Sequence, residues 1–184
     1  MICNIPSPCL LSLTKMVIIN TVSGDLLDAK EPICQQCNCL TIKPHGLSKY
    51  ISDKYSWADP YTTRPIKTAN TTSSPDEPGT IVEFKNPLYP DNIVLCFMAQ
   101  WCPGKPYAYN KFYPSTPCGS EDNYSNRKKW FQECLDILDE NKYDTVAMPY
   151  GIGCGLAGGK WVEYKQMIEE CKTKIVIYKL DTCS

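Results

Sequence analysis

The pattern of apolar and polar positions predicts a chain in which short buried strands alternate with amphipathic helices. Apolar positions three or four residues apart predict helices that begin at Leu47, cover Glu121–Asn141, and begin at Trp161. The runs predicted as strands are Met16–Val22, Pro32–Leu40, Thr80–Phe84, Asn92–Ala99, Tyr143–Met148 and Lys174–Leu180. This alternation is typical of an α/β protein.

The helix predicted over Glu121–Asn141 has the clearest apolar stripe. Its buried face is predicted to consist of Phe131, Cys134, Leu135 and Leu138. We expect acidic residues in its first turn, where they complement the helix dipole, and Asn141 as the cap at its end.

The last two predicted strands enclose a loop that holds five of the ten glycines. These are Gly151, Gly153, Gly155, Gly158 and Gly159. A strand, a glycine loop, a helix and a second strand form a predicted βαβ unit with parallel strands. Flexible main-chain N–H groups and the positive end of the following helix dipole favour a phosphate or diphosphate there. A glycine turn without a ligand is the alternative.

Two known phosphate-binding motifs were compared with this loop. Gly153, Gly155 and Gly158 satisfy the GxGxxG pattern, and Asp181 lies near the distance of a ribose-binding acid, so a dinucleotide-binding protein remains an alternative. That fingerprint normally opens a domain, whereas here the chain ends soon after it. A P-loop would require a glycine at Cys154 and a serine or threonine at Trp161.

Length and composition limit the classes of protein to which the chain can belong. The chain has 184 residues, 43% hydrophobic and 21% charged, with a formal net charge of -1. This length suits one domain, and the near-zero charge gives no reason to expect direct nucleic-acid binding. No apolar run approaches the roughly twenty residues of a membrane span, so we expect no membrane association. An anionic ligand must therefore be bound by groups within its own site and not by an overall positive charge.

The twelve cysteines are spread along the whole chain, which favours reduced thiols and a cytoplasmic or nuclear protein. Residues 1–15 are expected to be a disordered extension or an over-long start, and residues 16–184 the domain. Long loops are predicted at about 57–80 and 102–120, where proline, serine and threonine lack a period. We expect a monomer.

Two polar side chains lie at the carboxyl ends of predicted strands. Asp25 comes after the first strand, and Asn38 lies near the end of the second. Ligand-binding residues of α/β sheets collect at this edge, where a carboxylate accepts from an amino group and an amide can both donate to and accept from ribose hydroxyls. The alternative for both is a residue that stabilises its own turn.

Three further candidates have weaker support. His45, the only histidine, lies beside Gly46 at the start of a helix and could act as a general acid or phosphate donor, or be an idle loop residue. Arg64 could reach a ligand phosphate or be solvated. The cysteines of the second strand, Cys34, Cys37 and Cys39, could hold zinc, although small buried thiols are the simpler interpretation.

Five segments together resemble a known family. In their order and spacing, these segments resemble a macro domain. They are GDLL at Gly24–Leu27, CNC at Cys37–Cys39, HGLS at His45–Ser48, MPYGIGCGLAGG at Met148–Gly159 and VIYKL at Val176–Leu180. The most similar branch contains the terminal ADP-ribose protein glycohydrolases and the yeast-type ADP-ribose 1″-phosphate phosphatases. The resemblance implies a three-layer α/β/α fold with a central mixed, largely parallel sheet, and no cofactor or metal.

The resemblance also implies roles for named residues. Asp25 would bind the adenine amino group with help from the Leu26 backbone, and Tyr178 would border the adenine. Asn38 would face the distal ribose, and His45 and Gly46, in the loop from Lys43 to Ser48, would flank the diphosphate and the distal ribose. The phosphates would be cradled by Gly151, Ile152, Gly153, Cys154, Gly155 and Leu156.

The chain departs from the glycohydrolase branch at its chemistry. A catalytic lysine is expected where the strand ends at Ala99 and Gln100, and an acid where Ala157 stands, with Lys105 the nearest lysine. The implied activity is therefore a metal-independent hydrolase of ADP-ribose derivatives, either an ADP-ribose 1″-phosphate phosphatase or an ADP-ribosyl hydrolase, with His45 as the catalytic candidate. A non-catalytic reader of ADP-ribose or of ADP-ribosylated protein is the alternative, and the missing lysine and acid favour it.

Overall fold

The computed structural model of the chain describes residues 19–108, 111–113, 115–141 and 143–181. Within these residues the strands are β1 (Asn20–Ser23), β2 (Ile33–Asn38), β3 (Ile81–Lys85), β4 (Ile93–Gln100), β5 (Thr145–Pro149) and β6 (Lys174–Lys179). The helices are α1 (Leu47–Lys54), α2 (Tyr124–Glu140) and α3 (Trp161–Glu170). Each predicted element is present close to its predicted bounds. The predicted extension over residues 1–15 and the start of the first predicted strand lie outside the described residues.

The strands form one mixed sheet in the order β1-β6-β5-β2-β4-β3. The neighbours from β1 to β4 run parallel, and only β3 pairs antiparallel with β4 at the edge. The helix α3 joins β5 to its parallel neighbour β6, as the βαβ prediction required. The carboxyl ends of five parallel strands therefore lie along one edge of the sheet, and the residues after them meet there.

Aromatic side chains connect α2 to the sheet and to α3. Phe97 of β4 lies 5.8 Å from Phe131 of α2 between ring centroids, and Phe131 lies 4.7 Å from Tyr164 of α3. The predicted stripe of α2 is fully buried, and α1 contacts β2. This is the predicted α/β/α arrangement. No helix in the described ranges is long and apolar enough to cross a bilayer.

The start of α2 differs from the prediction. The helix begins at Tyr124, after Asn123, whose side chain caps it by accepting from the Asn126 N–H at 2.8 Å. Its first turn contains no acidic residue. The two acids, Glu121 and Asp122, precede the helix, and Asp122 forms a buried ion pair instead.

Arg64 in the long loop 57–80 neither faces a ligand site nor is solvated. Its side chain is buried, and it donates to the carbonyl oxygens of Thr41 at 2.5 Å and Asn38 at 2.9 Å. It also forms an ion pair with Asp76. Both expectations for Arg64 were wrong because the loop folds back on the end of β2, where main-chain carbonyls need donors.

The three cysteines of the β2 region, Cys34, Cys37 and Cys39, are buried thiols. Burial raises the pKa of Cys34 and of Cys39 well above the ordinary value. Among the residues that the structure describes, no group of three histidine, cysteine, aspartate or glutamate side chains could hold a metal ion. The geometry favours the thiol interpretation over zinc.

Candidate functional site

A cleft of about 650 Å³ runs along the carboxyl edge of the sheet. Its lining comes from residues at and after the carboxyl ends of β1, β6, β5, β2 and β4, together with the loop that precedes α1, the start of α1 and Tyr61. Neighbouring strands lie about 4.8 Å apart, so the cleft can cross about 19 Å of the sheet. We call the side with Asp25 and Tyr178 the β1 end, and the side with Gln36, Gln100, Gly104 and Ala157 the β4 end.

All predicted ligand-binding residues except Cys154 line this cleft. They are Asp25, Leu26, Asn38, His45, Gly46, Gly151, Ile152, Gly153, Gly155, Leu156 and Tyr178. The Cys154 thiol instead donates to the Ile152 carbonyl oxygen at 3.3 Å, and burial raises its pKa to about 11. The structure thus brings together residues that are distant in sequence.

At the β1 end, Asp25 stabilises its own turn and lines the cleft as well. One carboxylate oxygen accepts from the Leu27 N–H at 2.9 Å, and the other accepts from the Tyr50 hydroxyl. The hydrogen bond to Asp25 raises the pKa of Tyr50. Each carboxylate oxygen keeps a further lone pair, so Asp25 can still accept from a ligand. Tyr50, which the sequence analysis did not single out, fixes the carboxylate from α1.

Asn38 presents only a donor to the cleft. Its side-chain oxygen accepts from the Leu40 N–H at 3.1 Å, the Thr41 N–H at 2.8 Å and the Thr41 hydroxyl at 2.9 Å. Its Nδ2 has no hydrogen-bond partner in the described part of the chain. The expectation of an amide that both donates and accepts is therefore corrected, because the turn after β2 uses the oxygen.

The glycine loop leaves several of its main-chain N–H groups without an acceptor in the described residues. Those of Gly151, Gly153, Gly155, Leu156 and Ala157 bond to no other described residue, and all five residues line the cleft. The backbone at Gly151 has φ of 72° and that at Gly153 has φ of 73°, the left-handed conformation that glycine adopts without strain. Several unpaired N–H groups in residues that line one cleft favour an anion.

The loop before α1 meets the glycine loop over the same edge. A Cβ atom added to Gly46 would lie 3.1 Å from Cδ1 of Leu156, so the two loops are in contact. The helix α1 begins in the cleft lining with no side-chain cap, so its first N–H groups have no side-chain acceptor. His45 is exposed at this junction, and its main-chain N–H donates to the Ser48 hydroxyl at 3.2 Å.

The β4 end is lined by amides and main chain. Gln100 donates to the Cys102 carbonyl oxygen at 2.9 Å, so its own oxygen accepts from Gln36 at 3.0 Å. The Gln36 oxygen has no partner in the described residues and lies directly under Gly153, where an added Cβ would be 2.5 Å from it. The sequence analysis missed Gln36, although its position two residues before Asn38 on one strand was a usable signal.

A second cavity of about 410 Å³ lies on the other side of Ala157, between the starts of α2 and α3. Its charged lining is largely satisfied internally, since Lys128 lies 2.7 Å from Glu163. It contains none of the predicted site residues. The cleft is thus the candidate site.

Comparison with known proteins agrees with this geometry. No protein-family model and no curated protein matches the sequence. Among solved structures, the chain is similar to the macrodomain of Thermus aquaticus DarG, with a TM-score of 0.56, 17% identity and coverage of 88% of this chain and 97% of that chain. The macrodomain of Mycobacterium tuberculosis DarG gives a TM-score of 0.56 at 16% identity over the same shares, 88% and 97%.

A third similar structure is Thermosipho africanus DarTG in complex with ADP-ribose. Its TM-score is 0.53 at 14% identity, and the match covers 90% of this chain and 43% of that one. Identities this low establish the fold alone. The chain has the macro domain fold that its sequence segments resemble.

Proposed function

We propose that the cleft binds ADP-ribose or a derivative of it. The observation that carries the proposal is the set of unpaired N–H groups at Gly151, Gly153, Gly155, Leu156 and Ala157. Together with the uncapped start of α1, they form a site of positive potential that suits a diphosphate. The Thermosipho africanus neighbour, which has the same fold, was solved with ADP-ribose.

The ligand would lie across the sheet with its adenine at the β1 end. Asp25 would accept from the adenine amino group, Leu26 would contribute its backbone, and Tyr178 would border the ring. The diphosphate would lie under the glycine loop, and the Asn38 Nδ2 would donate to a hydroxyl of the distal ribose. The distal ribose would then reach the β4 end.

As the activity, we propose hydrolysis without a metal, with ADP-ribose 1″-phosphate or an ADP-ribosyl ester as substrate. With ADP-ribose 1″-phosphate, water would attack phosphorus, the bond from phosphorus to the ribose oxygen would break, and the loop N–H groups would stabilise the negative charge that develops on phosphate. With an ADP-ribosyl ester, water would attack the ester carbonyl carbon and the ribose oxygen would leave. His45 is the only histidine of the chain and is exposed in the cleft lining. Its imidazole would transfer the proton between water and the leaving group.

A reader without catalysis is the second candidate, because a specific feature favours it. The β4 end, where the distal ribose would lie, is lined by Gln36, Gln100, Pro103, Gly104 and Ala157. None of these carries an amine or a carboxylate. A reader would bind ADP-ribose or an ADP-ribosylated protein and leave it intact.

Calorimetry and a turnover assay test these proposals together. We expect ADP-ribose to bind more tightly than NAD, whereas tighter NAD binding would favour the dinucleotide alternative. ADP-ribose 1″-phosphate and ADP-ribosylated protein would then be incubated with the wild type, His45→Ala and Asp25→Ala. If the protein is a hydrolase that uses His45, turnover should be lost in His45→Ala. Its affinity for the ligand should change less than about twofold, because the imidazole is exposed. Binding without turnover by the wild type supports the reader.

A further inference from the structure

A buried ion pair lies behind the β4 end of the cleft. Arg127, in the first turn of α2, is only 1% exposed. Its Nε donates to one oxygen of Asp122 at 2.5 Å, and its Nη2 donates to the other at 2.6 Å. This bidentate contact fixes the plane of the guanidinium group.

The other contacts of Arg127 join two separate segments of the chain. Its Nη1 donates to the carbonyl oxygens of Gly104 at 2.6 Å and of Ala157 at 2.9 Å. Its Nη2 also donates to the Cys102 carbonyl oxygen at 3.1 Å. One guanidinium group therefore connects the segment after β4 to the glycine loop, and Gly104 and Ala157 both line the cleft.

At these carbonyl groups the two segments are joined only through Arg127. Both present carbonyl oxygens to Arg127, and two acceptors cannot bond to one another. No main-chain hydrogen bond joins 102–108 to 151–159 in the described residues. Lys105 packs over Gly158, where an added Cβ would lie 2.9 Å from its Cγ, so a side-chain contact also connects the two segments.

The glutamines of the β4 end are connected to the same carbonyl groups that accept from Arg127. Gln100 donates to the Cys102 carbonyl oxygen at 2.9 Å, the oxygen that also accepts from Arg127. Asp122 in turn accepts from the Cys102 N–H at 2.8 Å. A displacement of Cys102 would therefore move Gln100, and Gln36 with it, as well as the wall at Gly104.

We propose that Arg127 is a positioning residue that sets the shape of the β4 end and makes the cleft prefer ligands that extend beyond a nucleoside diphosphate. This inference rests on the proposed function, in which the distal ribose occupies that end. Arg127 does not line the cleft itself. It acts through the carbonyl groups of Gly104 and Ala157.

The test compares binding of ADP-ribose and of ADP, which lacks the distal ribose, by calorimetry. The variant Arg127→Lys keeps a charge for Asp122 but loses the planar fork that bridges Gly104 and Ala157. We expect its affinity for ADP-ribose to fall about tenfold and its affinity for ADP to change less than about twofold. The control is Asp139→Ala, which removes a carboxylate that accepts from the Lys172 and Thr173 N–H groups, away from the cleft.

A purely structural role predicts a lower melting temperature in both variants with the ratio of the two affinities unchanged, and that result would overturn the inference. If Arg127→Lys does not fold, the double variant Asp122→Asn with Arg127→Gln removes both charges. The ratio of its affinities for ADP-ribose and ADP then tests the inference in the same way. A wild type that binds neither nucleotide would overturn the proposed function, and this inference with it. A wild type that prefers ADP-ribose, beside Arg127 variants that keep this preference, would overturn only the inference.

Discussion

The two ends of the cleft are built in different ways. At the β1 end, Asp25 follows its strand directly and is held by the nearby Leu27 N–H and by Tyr50 of α1. At the β4 end, the lining consists of glutamines and main chain whose positions depend on Arg127, a buried residue of another element. The first end follows from local sequence, and the second requires the assembled tertiary structure.

This difference has a consequence for substitutions. A change at the β1 end removes one contact to the ligand and leaves the packing nearly intact. A change at the β4 end disturbs a buried network, so stability and ligand binding fall together. Variants of the two ends can therefore be distinguished by measuring both quantities.

The largest effect on stability is expected for Gly153→Ala, in the glycine loop over Gln36 of the β4 end. The added Cβ would lie 2.5 Å from the Gln36 oxygen and 2.6 Å from Cε1 of Tyr164, at a φ of 73°. Strain and overlap together should lower the free energy of unfolding by about 2–4 kcal/mol, measured by urea denaturation. ADP-ribose binding should fall as well.

The matched control is Gly155→Ala in the same loop. An added Cβ there meets no atom within 4 Å, and the backbone is not left-handed. Its stability should stay within about 0.5 kcal/mol of the wild type. Equal stability of the two variants would contradict the close packing of Gly153 on Gln36.

A smaller effect on stability, but a clear one on binding, is expected for Asn38→Asp. The carboxylate keeps an oxygen for Leu40 and Thr41, but it replaces the Nδ2 donor with a negative charge that faces the ligand. Affinity for ADP-ribose should fall at least tenfold, about 1.4 kcal/mol, while the free energy of unfolding changes less than about 1 kcal/mol. Calorimetry and urea denaturation measure the two quantities. Adenosine, which lacks phosphate and distal ribose, should bind as before, and a matching loss with adenosine would argue against the placement of Asn38.

The smallest effect is expected at the β1 end, for Asp25→Asn. The amide oxygen can still accept from the Leu27 N–H, so stability should be nearly unchanged. ADP-ribose and ADP should lose affinity alike, by about threefold to tenfold, because both carry the adenine. Asp28→Asn, an exposed change outside the cleft lining, serves as the control in the same titrations. Loss restricted to ADP-ribose would show that the two ends had been assigned in reverse.

The β1 end and the glycine loop could be predicted from sequence because their signals are local. Asp25 follows an apolar run, and five glycines stand between a strand and a helix. Gln36 was not predicted because it lies inside its strand, whereas the candidate residues were taken from the ends of strands. Its spacing of two from Asn38 would have placed both on one face.

The two buried arginines could not be predicted as such. Composition and residue type favour a solvated arginine, and a solvated side chain and a contact to a ligand phosphate were the two alternatives for Arg64. Arg127 did carry a signal, since it lies four residues before Phe131 on the buried stripe of α2. Its partners at Gly104 and Ala157 are main-chain carbonyls, which have no sequence signature. Only the tertiary structure brings them together.

The most direct test of the account is the response of main-chain amides to ADP-ribose in ¹H–¹⁵N NMR spectra. The account predicts that the signals of Gly151, Gly153, Gly155, Leu156 and Ala157 shift along one saturable curve, together with that of Leu27 at the β1 end. Unchanged loop signals, or shifts confined to Ser125 and Lys128 in the second cavity, would contradict it.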